Sequence, residues 1–213
     1  MLRKRRGFTL IEVLVTLVIL MFGLLGIAGL MAKGQRAAFE AFQRQQALSL
    51  AADMAERILG NRTQAANYAA AAPVATPLGA SNGLQYGDLL KNNITNCATA
   101  YCTSAELASY DMAMWEGMLL GYSERLATGN TLIAGVVNAN GCVEQLGVTS
   151  ATCPAPPANT GNMFQRRIRI SVAWQGNDDT GVPTTSTCGA GLYNTTASRR
   201  VVSIDINVLE QCP

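Results

Sequence analysis

The feature that most constrains this chain is an apolar run of roughly 25 residues, Phe8 to Ala32, in which Glu12 is the only charge; as a helix it is long enough to cross the hydrocarbon core of a bilayer. Arg3, Lys4, Arg5 and Arg6 stand directly before it. A basic flank stays on the cytoplasmic side, so the run predicts a single-pass anchor with the remainder of the chain outside. A cleavable secretory signal would have a shorter apolar region and a small-residue site after it. Here Lys33-Gly34-Gln35-Arg36 follows instead. An ordinary signal anchor explains the length and the basic flank, but not a carboxylate near the start of the run. A charge inside a membrane segment costs about 2.5–3.5 kcal/mol at the helix centre and less near its end, and such residues are by default functional. The plain alternative for Glu12 is a place at the headgroup interface.

The chain has 213 residues, enough for one globular domain and a long appendage. Its formal charge of +2 is dominated by the leader: without the four basic residues at positions 3–6, twelve basic residues face fourteen acidic ones. The body of the protein is therefore not a nucleic-acid binder by charge. The absence of histidine removes the commonest general base and zinc ligand together. No phosphate-cradling glycine loop or nucleophile elbow occurs, so no enzyme activity and no cofactor is expected. Six cysteines, Cys97, Cys102, Cys142, Cys153, Cys188 and Cys212, all follow the apolar run. An even number beyond an export-type N-terminus reads as disulfides in an oxidising compartment, and the lack of any CxxC pair argues against zinc.

The words RKRRGFTLIEVLVTLVIL resemble the prepilin signal of type IV pilins and type II secretion pseudopilins, carried by Gly7, Phe8, Thr9, Leu10, Ile11, Glu12 and Val13. The resemblance implies that a membrane-embedded prepilin peptidase cuts between Gly7 and Phe8 and methylates the new amine of Phe8. It also implies that Glu12 pairs with the N-terminal amine of a neighbouring subunit. A desolvated pair of this kind fixes register more than it adds net stability. Many major pilins have a proline in the second half of this helix; here Gly23, Gly26 and Gly29 stand there. The phrase from Gly23 to Leu30, with Ala52-Asp53-Met54-Ala55-Glu56-Arg57-Ile58 and Asn61, is similar to the minor pilins of the type IV pilus modification (PilV) family.

The helical pattern continues past Lys33 in amphipathic form. Ala47, Leu50, Ala51, Met54, Ala55, Ile58 and Leu59 recur at spacings of three and four, and Glu40, Arg44, Asp53 and Arg57 occupy other faces. This predicts one helix from Phe8 to Leu59 with a C-cap at Gly60-Asn61. Thr63 to Gly87 reads as a loop. Thr103-Ser104-Ala105-Glu106 is a capping box opening a second helix to about Ala127, with a stripe of Leu107, Tyr110, Met114, Trp115, Met118, Leu119 and Tyr122 toward the core and Gly129 closing it. Thr131–Val137 and Cys142–Val148 read as a hairpin around Asn138-Ala139-Asn140-Gly141. Arg167–Gln175 and Val201–Leu209 alternate as strands. Asn177 to Gly181 is a polar connection without a full calcium-ligand series. Arg166-Arg167 and Arg199-Arg200 read as solvated strand ends. Six cysteines allow many connectivities; sequential pairs, Cys97–Cys102, Cys142–Cys153 and Cys188–Cys212, fit this map, and the last resembles the C-terminal disulfide loop of many pilins.

These readings combine into an α+β, pilin-like fold. A long N-terminal helix, membrane half plus amphipathic half, packs on a C-terminal antiparallel sheet with an extra helix and disulfide-stapled loops. Residues 1–7 would be a removable cytoplasmic leader, 8–32 the transmembrane and assembly helix, and 33–213 the periplasmic domain. The expected function is that of a minor pilin in a pilus or its initiation or tip complex. A pseudopilin of type II secretion, a tip adhesin and a DNA-uptake pilin are the alternatives. Expected partners are other minor and major pilins, the prepilin peptidase, the inner-membrane assembly platform and the membrane itself; no nucleic acid is expected.

Overall fold

The computed structural model describes residues 7–80, 94–121, 135–149 and 163–211. Two compact units divide the chain, Met1–Ala41 and Phe42–Pro213. Helix α1, Leu10–Gly60, runs without a break through 51 residues. It starts two residues later than the sequence predicts, because Thr9 supplies the first carbonyl: Glu12 N–H and Val13 N–H donate to Thr9 O at 3.1 and 3.4 Å. At its other end Gly60 is the last helical residue and does not adopt the left-handed conformation of a glycine cap. Asn61 takes over, its N–H closing onto Arg57 O at 3.0 Å.

In the second unit α1 buries Gln43, Ala47, Ala51, Met54, Ala55 and Ile58; the stripe read from the sequence holds at the last five of these, while Leu50 is half-buried, Leu59 is exposed and the polar Gln43 joins the buried face. Three of the buried residues are alanines. Their small side chains let α3, Ser104–Leu119, come close enough for the Trp115 indole N–H to reach the Leu50 carbonyl at 2.9 Å. The α3 capping box is present: Thr103 Oγ1 accepts from Glu106 N–H at 3.3 Å, and Glu106 Oε2 accepts from Thr103 N–H at 2.8 Å. Two expectations for α3 need correction. It ends at Leu119, not near Ala127, because Gly121 turns into the left-handed region (φ 70°) and donates back to Met118 O at 3.1 Å; Tyr122 and Gly129 lie outside the described residues. Its buried face is Ala108, Asp111, Met112, Trp115, Glu116 and Leu119, while Met114 stays 39% exposed. The buried face is thus rotated from the expected stripe of Leu107, Tyr110, Met114, Trp115, Met118 and Leu119, and it takes in the carboxylates Asp111 and Glu116.

The expected loop after α1 is also structured. Arg62–Gln64 forms a 3-10 turn, α2 covers Ala65–Ala71, and β1 is the two-residue strand Leu78–Gly79. The alanine-rich composition makes a good short helix once Tyr68 and Ala65 bury beneath it; residues 81–87 of that stretch lie outside the described residues.

The remaining strands are β2 (Asn140–Thr149), β3 (Met163–Gln175) and β4 (Arg199–Gln211), all antiparallel in the order β1-β2-β3-β4. Both long alternating runs are strands. Ile168, Ile170, Val172 and Trp174 of β3 and Val202 and Val208 of β4 enter the main core with Met54, Ile58, Tyr68 and Trp115. The expected Thr131–Val137 hairpin partner is not found in its described part: residues 135–137 form a bend and turn, and β2 pairs with β1 and β3 instead. Residues 131–134 lie outside the described residues. Gly141 is where β2 passes beneath Trp115. A Cβ there would run into the Trp115 indole and the Leu119 side chain, so any side chain would require them to move.

Candidate functional site

The N-terminal segment is an exposed apolar rod. Every side chain from Gly7 to Phe39 is exposed in the single chain, and the membrane-length window within α1 has a mean hydropathy of 2.7 with none of it buried. Burying apolar surface is favourable by about 25 cal/mol per Å², so this surface calls for lipid or another chain. Gly7, Phe8 and Thr9 precede the helix, and Phe8 is 83% exposed. The Gly7–Phe8 bond is thus outside the helical ladder and open to a protease. Glu12 lies in the first turn of α1, where the unsatisfied N–H groups and the helix dipole favour a negative charge. An amine created at Phe8 would be four residues from that carboxylate along its own chain. The same exposed carboxylate is available to the amine of a neighbouring copy.

In the globular unit, a polar network that sequence reasoning missed ties α1, α2 and α3 together. Arg57 donates to Asp53 at 2.7 Å and to Asp111 at 2.9 Å. Tyr68 Oη donates to Asp111 Oδ2 at 2.5 Å, and Asn61 Nδ2 donates to Ser104 O at 2.7 Å and Tyr68 Oη at 3.3 Å. Asp53 and Arg57 were placed on the polar faces of α1. Arg57 is instead half-buried, reaching Asp111 from 54 residues away. Burial, then the hydrogen bond to Asp111, hold the Tyr68 phenol well above its ordinary value of 10.0. Burial pushes Tyr193 up to about 12.

These shifts fix the alkaline behaviour. A phenol whose folded pKa is raised contributes stability that is complete below its unfolded pKa and is lost as pH climbs through the folded one. Thermal melting should therefore hold level up to about pH 10 and fall steeply between about pH 10 and 12. Tyr68→Phe should flatten that fall while lowering the melting temperature at neutral pH. An alkaline fall of unchanged steepness in Tyr68→Phe would contradict the assignment.

A long connection, residues 176–198, covers one end of the outer sheet face. Cys188 is joined to Cys142 of β2, with a Cα–Cα distance of 5.8 Å, and both are fully buried beside Ala173. This corrects the sequential pairing of Cys142 with Cys153 and of Cys188 with Cys212. The sheet carries Cys142 into register with Ser171 of β3, and the 176–198 connection folds back over that row, bringing Cys188 there. Cys97–Cys102 is present, with a Cα–Cα distance of 5.5 Å. Cys153 and Cys212 lie outside the described residues.

The basic pairs are also unlike solvated strand ends. Arg199 is 5% exposed and donates to the carbonyls of Ser186, Cys188 and Pro183 at 2.8–2.9 Å. Desolvation lowers its pKa, yet an arginine at neutral pH stays charged; its three carbonyl acceptors hold the 183–188 segment down. Arg166 is paired with Glu210 at 2.6 Å. Arg167 alone of the four keeps an exposed side chain. In the Asn177–Gly181 stretch, Asp179 accepts from Thr195 Oγ1 at 2.6 Å and the Asp178 carbonyl accepts from Arg200 at 2.7 Å. Among the described residues no group of three or more His, Cys, Asp or Glu is placed to hold a metal. A buried arginine gives no periodic signal, so only its position directly before an alternating strand hinted at it.

Two family models match the chain. The prokaryotic N-terminal methylation motif matches residues 2–28, and the family described as type IV pilin Tt1218 matches residues 30–113. No curated protein and no solved structure matches. The matched segments take in the apolar rod, the amphipathic end of α1 with Asp53, Arg57 and Asn61, and α3 as far as Ala113, including Asp111.

Proposed function

We propose that this chain, a type IV pilin-like protein, is a minor pilin: a structural subunit built into a type IV pilus or into the complex that starts or tips it. One observation carries the reading: the Gly7-Phe8 and Glu12 motif sits at the head of an apolar helix whose side chains are all exposed as far as Phe39. Such a helix is stable in a bilayer before assembly and against other helices of its kind afterwards. The precursor would stand in the inner membrane with its leader in the cytoplasm and residues 33–213 outside. Prepilin peptidase would remove Met1–Gly7 and methylate Phe8. Glu12 would then meet the amine of a neighbouring pilin as the assembly platform adds the subunit. The likeness of the Gly23–Leu30 and Ala52–Asn61 phrases to the pilus modification family favours a minor over a major subunit.

Intact-mass measurement of protein from cells with active prepilin peptidase tests this. The expected species lacks Met1–Gly7 and carries one methyl on Phe8. A full-length chain in those cells would sink the proposal. Export also bears on the cysteines. Non-reduced peptide mapping should return Cys97–Cys102 and Cys142–Cys188, and should find Cys153 bonded to Cys212, the two cysteines left of an even set in a compartment where disulfides form and persist. Free thiols at Cys153 and Cys212 would contradict this part. A type II secretion pseudopilin shares the N-terminal motif; co-purification with sheared pili, as opposed to secretion components, separates the two.

A further inference from the structure

Strand β4 ends the sheet, and among the described residues no strand pairs with its second edge. It is 13 residues long and stays in unbroken register with β3 from Arg199 to Gln211. Soluble proteins guard such edges with charged side chains, above all lysine, with proline, a bulge or a short strand. Here the sequence RRVVSIDINVLEQ contains no lysine or proline, and its continuous register contains no bulge; its four charges, Arg199, Arg200, Asp205 and Glu210, are each held by a partner within the same chain. The sequence is also a palindrome in polarity about Asp205. Ile204 mirrors Ile206, Ser203 mirrors Asn207, Val202 mirrors Val208, Val201 mirrors Leu209, and Arg200 mirrors Glu210.

We propose that β4 is a homotypic docking edge, on which a second copy of this chain pairs antiparallel about a twofold axis through Asp205, joining two sheets into one. A twofold contact must be self-complementary, and this register alone satisfies the strand along its length. Directly opposed residues lie on the same face of an antiparallel pair. The core face would then set Ile204 against Ile206 and Val202 against Val208 of the other copy, and would place Arg200, held in its own chain by the Asp178 carbonyl, across from Glu210, held in its own by Arg166. The outer face would cover Leu209, which is 51% exposed in the single chain, with Val201. Sliding two residues either way breaks the match. One slip opposes Arg200 to Val208 and Arg199 to Leu209; the other opposes Val202 to Glu210 and Ser203 to Leu209. The two Asp205 carboxylates on the axis are each neutralised beforehand. Arg169 holds each one through two bonds, at 2.7 and 2.8 Å.

The proposal does not depend on the filament role. It concerns the globular unit and is tested on the full chain in detergent micelles, where the apolar helix can also self-associate, so the readout must be specific to position. Asp205→Cys lies on the axis and should form an intermolecular disulfide under mild oxidation. Ser203→Cys and Asn207→Cys should each fail alone, at least tenfold below Asp205→Cys, because each faces the other position across the axis. The double variant Ser203→Cys/Asn207→Cys should cross-link as well as Asp205→Cys. Adding Lys at both 203 and 207 to the Asp205→Cys chain opposes like charges and should abolish its cross-link. The proposal is overturned if Asp205→Cys does not cross-link while circular dichroism shows a folded domain. It is equally overturned if all three single cysteines cross-link alike, the result expected of helix-driven association or of a partner other than a second copy.

Discussion

Replacing Glu12 with Leu is expected to abolish recovery of the subunit in sheared pili while leaving the globular unit folded. Its melting temperature in micelles should match that of the parent, and both described disulfides should form. The globular unit begins at Phe42, and Glu12 is exposed in the first turn of α1. Membrane insertion should become easier, since a charge that is costly in hydrocarbon is gone. The loss falls on docking: the processed amine of a neighbour would enter an apolar bundle without its counter-charge, and breaking one side of a desolvated ion pair costs about 3–5 kcal/mol. That corresponds to roughly 150-fold to several-thousand-fold weaker docking. Glu12→Gln should show most of the same defect. Immunoblots of the pilus fraction set against the membrane fraction measure it. Normal incorporation of Glu12→Leu would remove the assembly role, and a lowered melting temperature would reassign Glu12 to the subunit's own stability.

The second large effect is expected from Cys142→Ala with Cys188→Ala. That disulfide closes a loop of 46 residues, for which the chain-entropy relation gives about 4 kcal/mol. Spread over a domain of this size, the melting temperature should fall by roughly 8–16 °C. The bond also pins the 176–198 connection over β2 and β3, so proteolysis within that connection should accelerate in the variant. Removing Cys97–Cys102, whose partners are five residues apart, should cost about half as much by the same relation. Equal destabilisation by the two pairs, or an undisturbed 176–198 connection, would show that Arg199, together with Arg169, which donates to the Thr185 carbonyl at 2.7 Å, holds the segment without help.

Local chemistry alone determines several elements of this protein. The apolar run with one carboxylate fixed a long exposed helix, since no other segment of the sequence is as long and as apolar. The Thr103–Glu106 box fixed where α3 begins, because both halves of a capping box lie within four residues. The two alternating runs fixed β3 and β4 and the residues they turn to the main core, because a period of two is written in the strand itself; that Ser171 and Ala173 on the other face of β3 are buried as well was decided by the 176–198 connection. What lay beyond the sequence were the choices made between distant segments. Asp111 and Glu116 are buried in α3. For Asp111 the reason is visible: Arg57 and Tyr68 arrive from α1 and α2 to satisfy it, and residue type alone predicts the opposite. Cys188 joins Cys142 because sheet register and the fold of the 176–198 connection set that distance; separation along the chain does not. Arg199 is buried because three carbonyls of that same connection converge on it. In each case the deciding energy is the desolvation of a polar or reactive group, and only tertiary structure supplies the partner that offsets it.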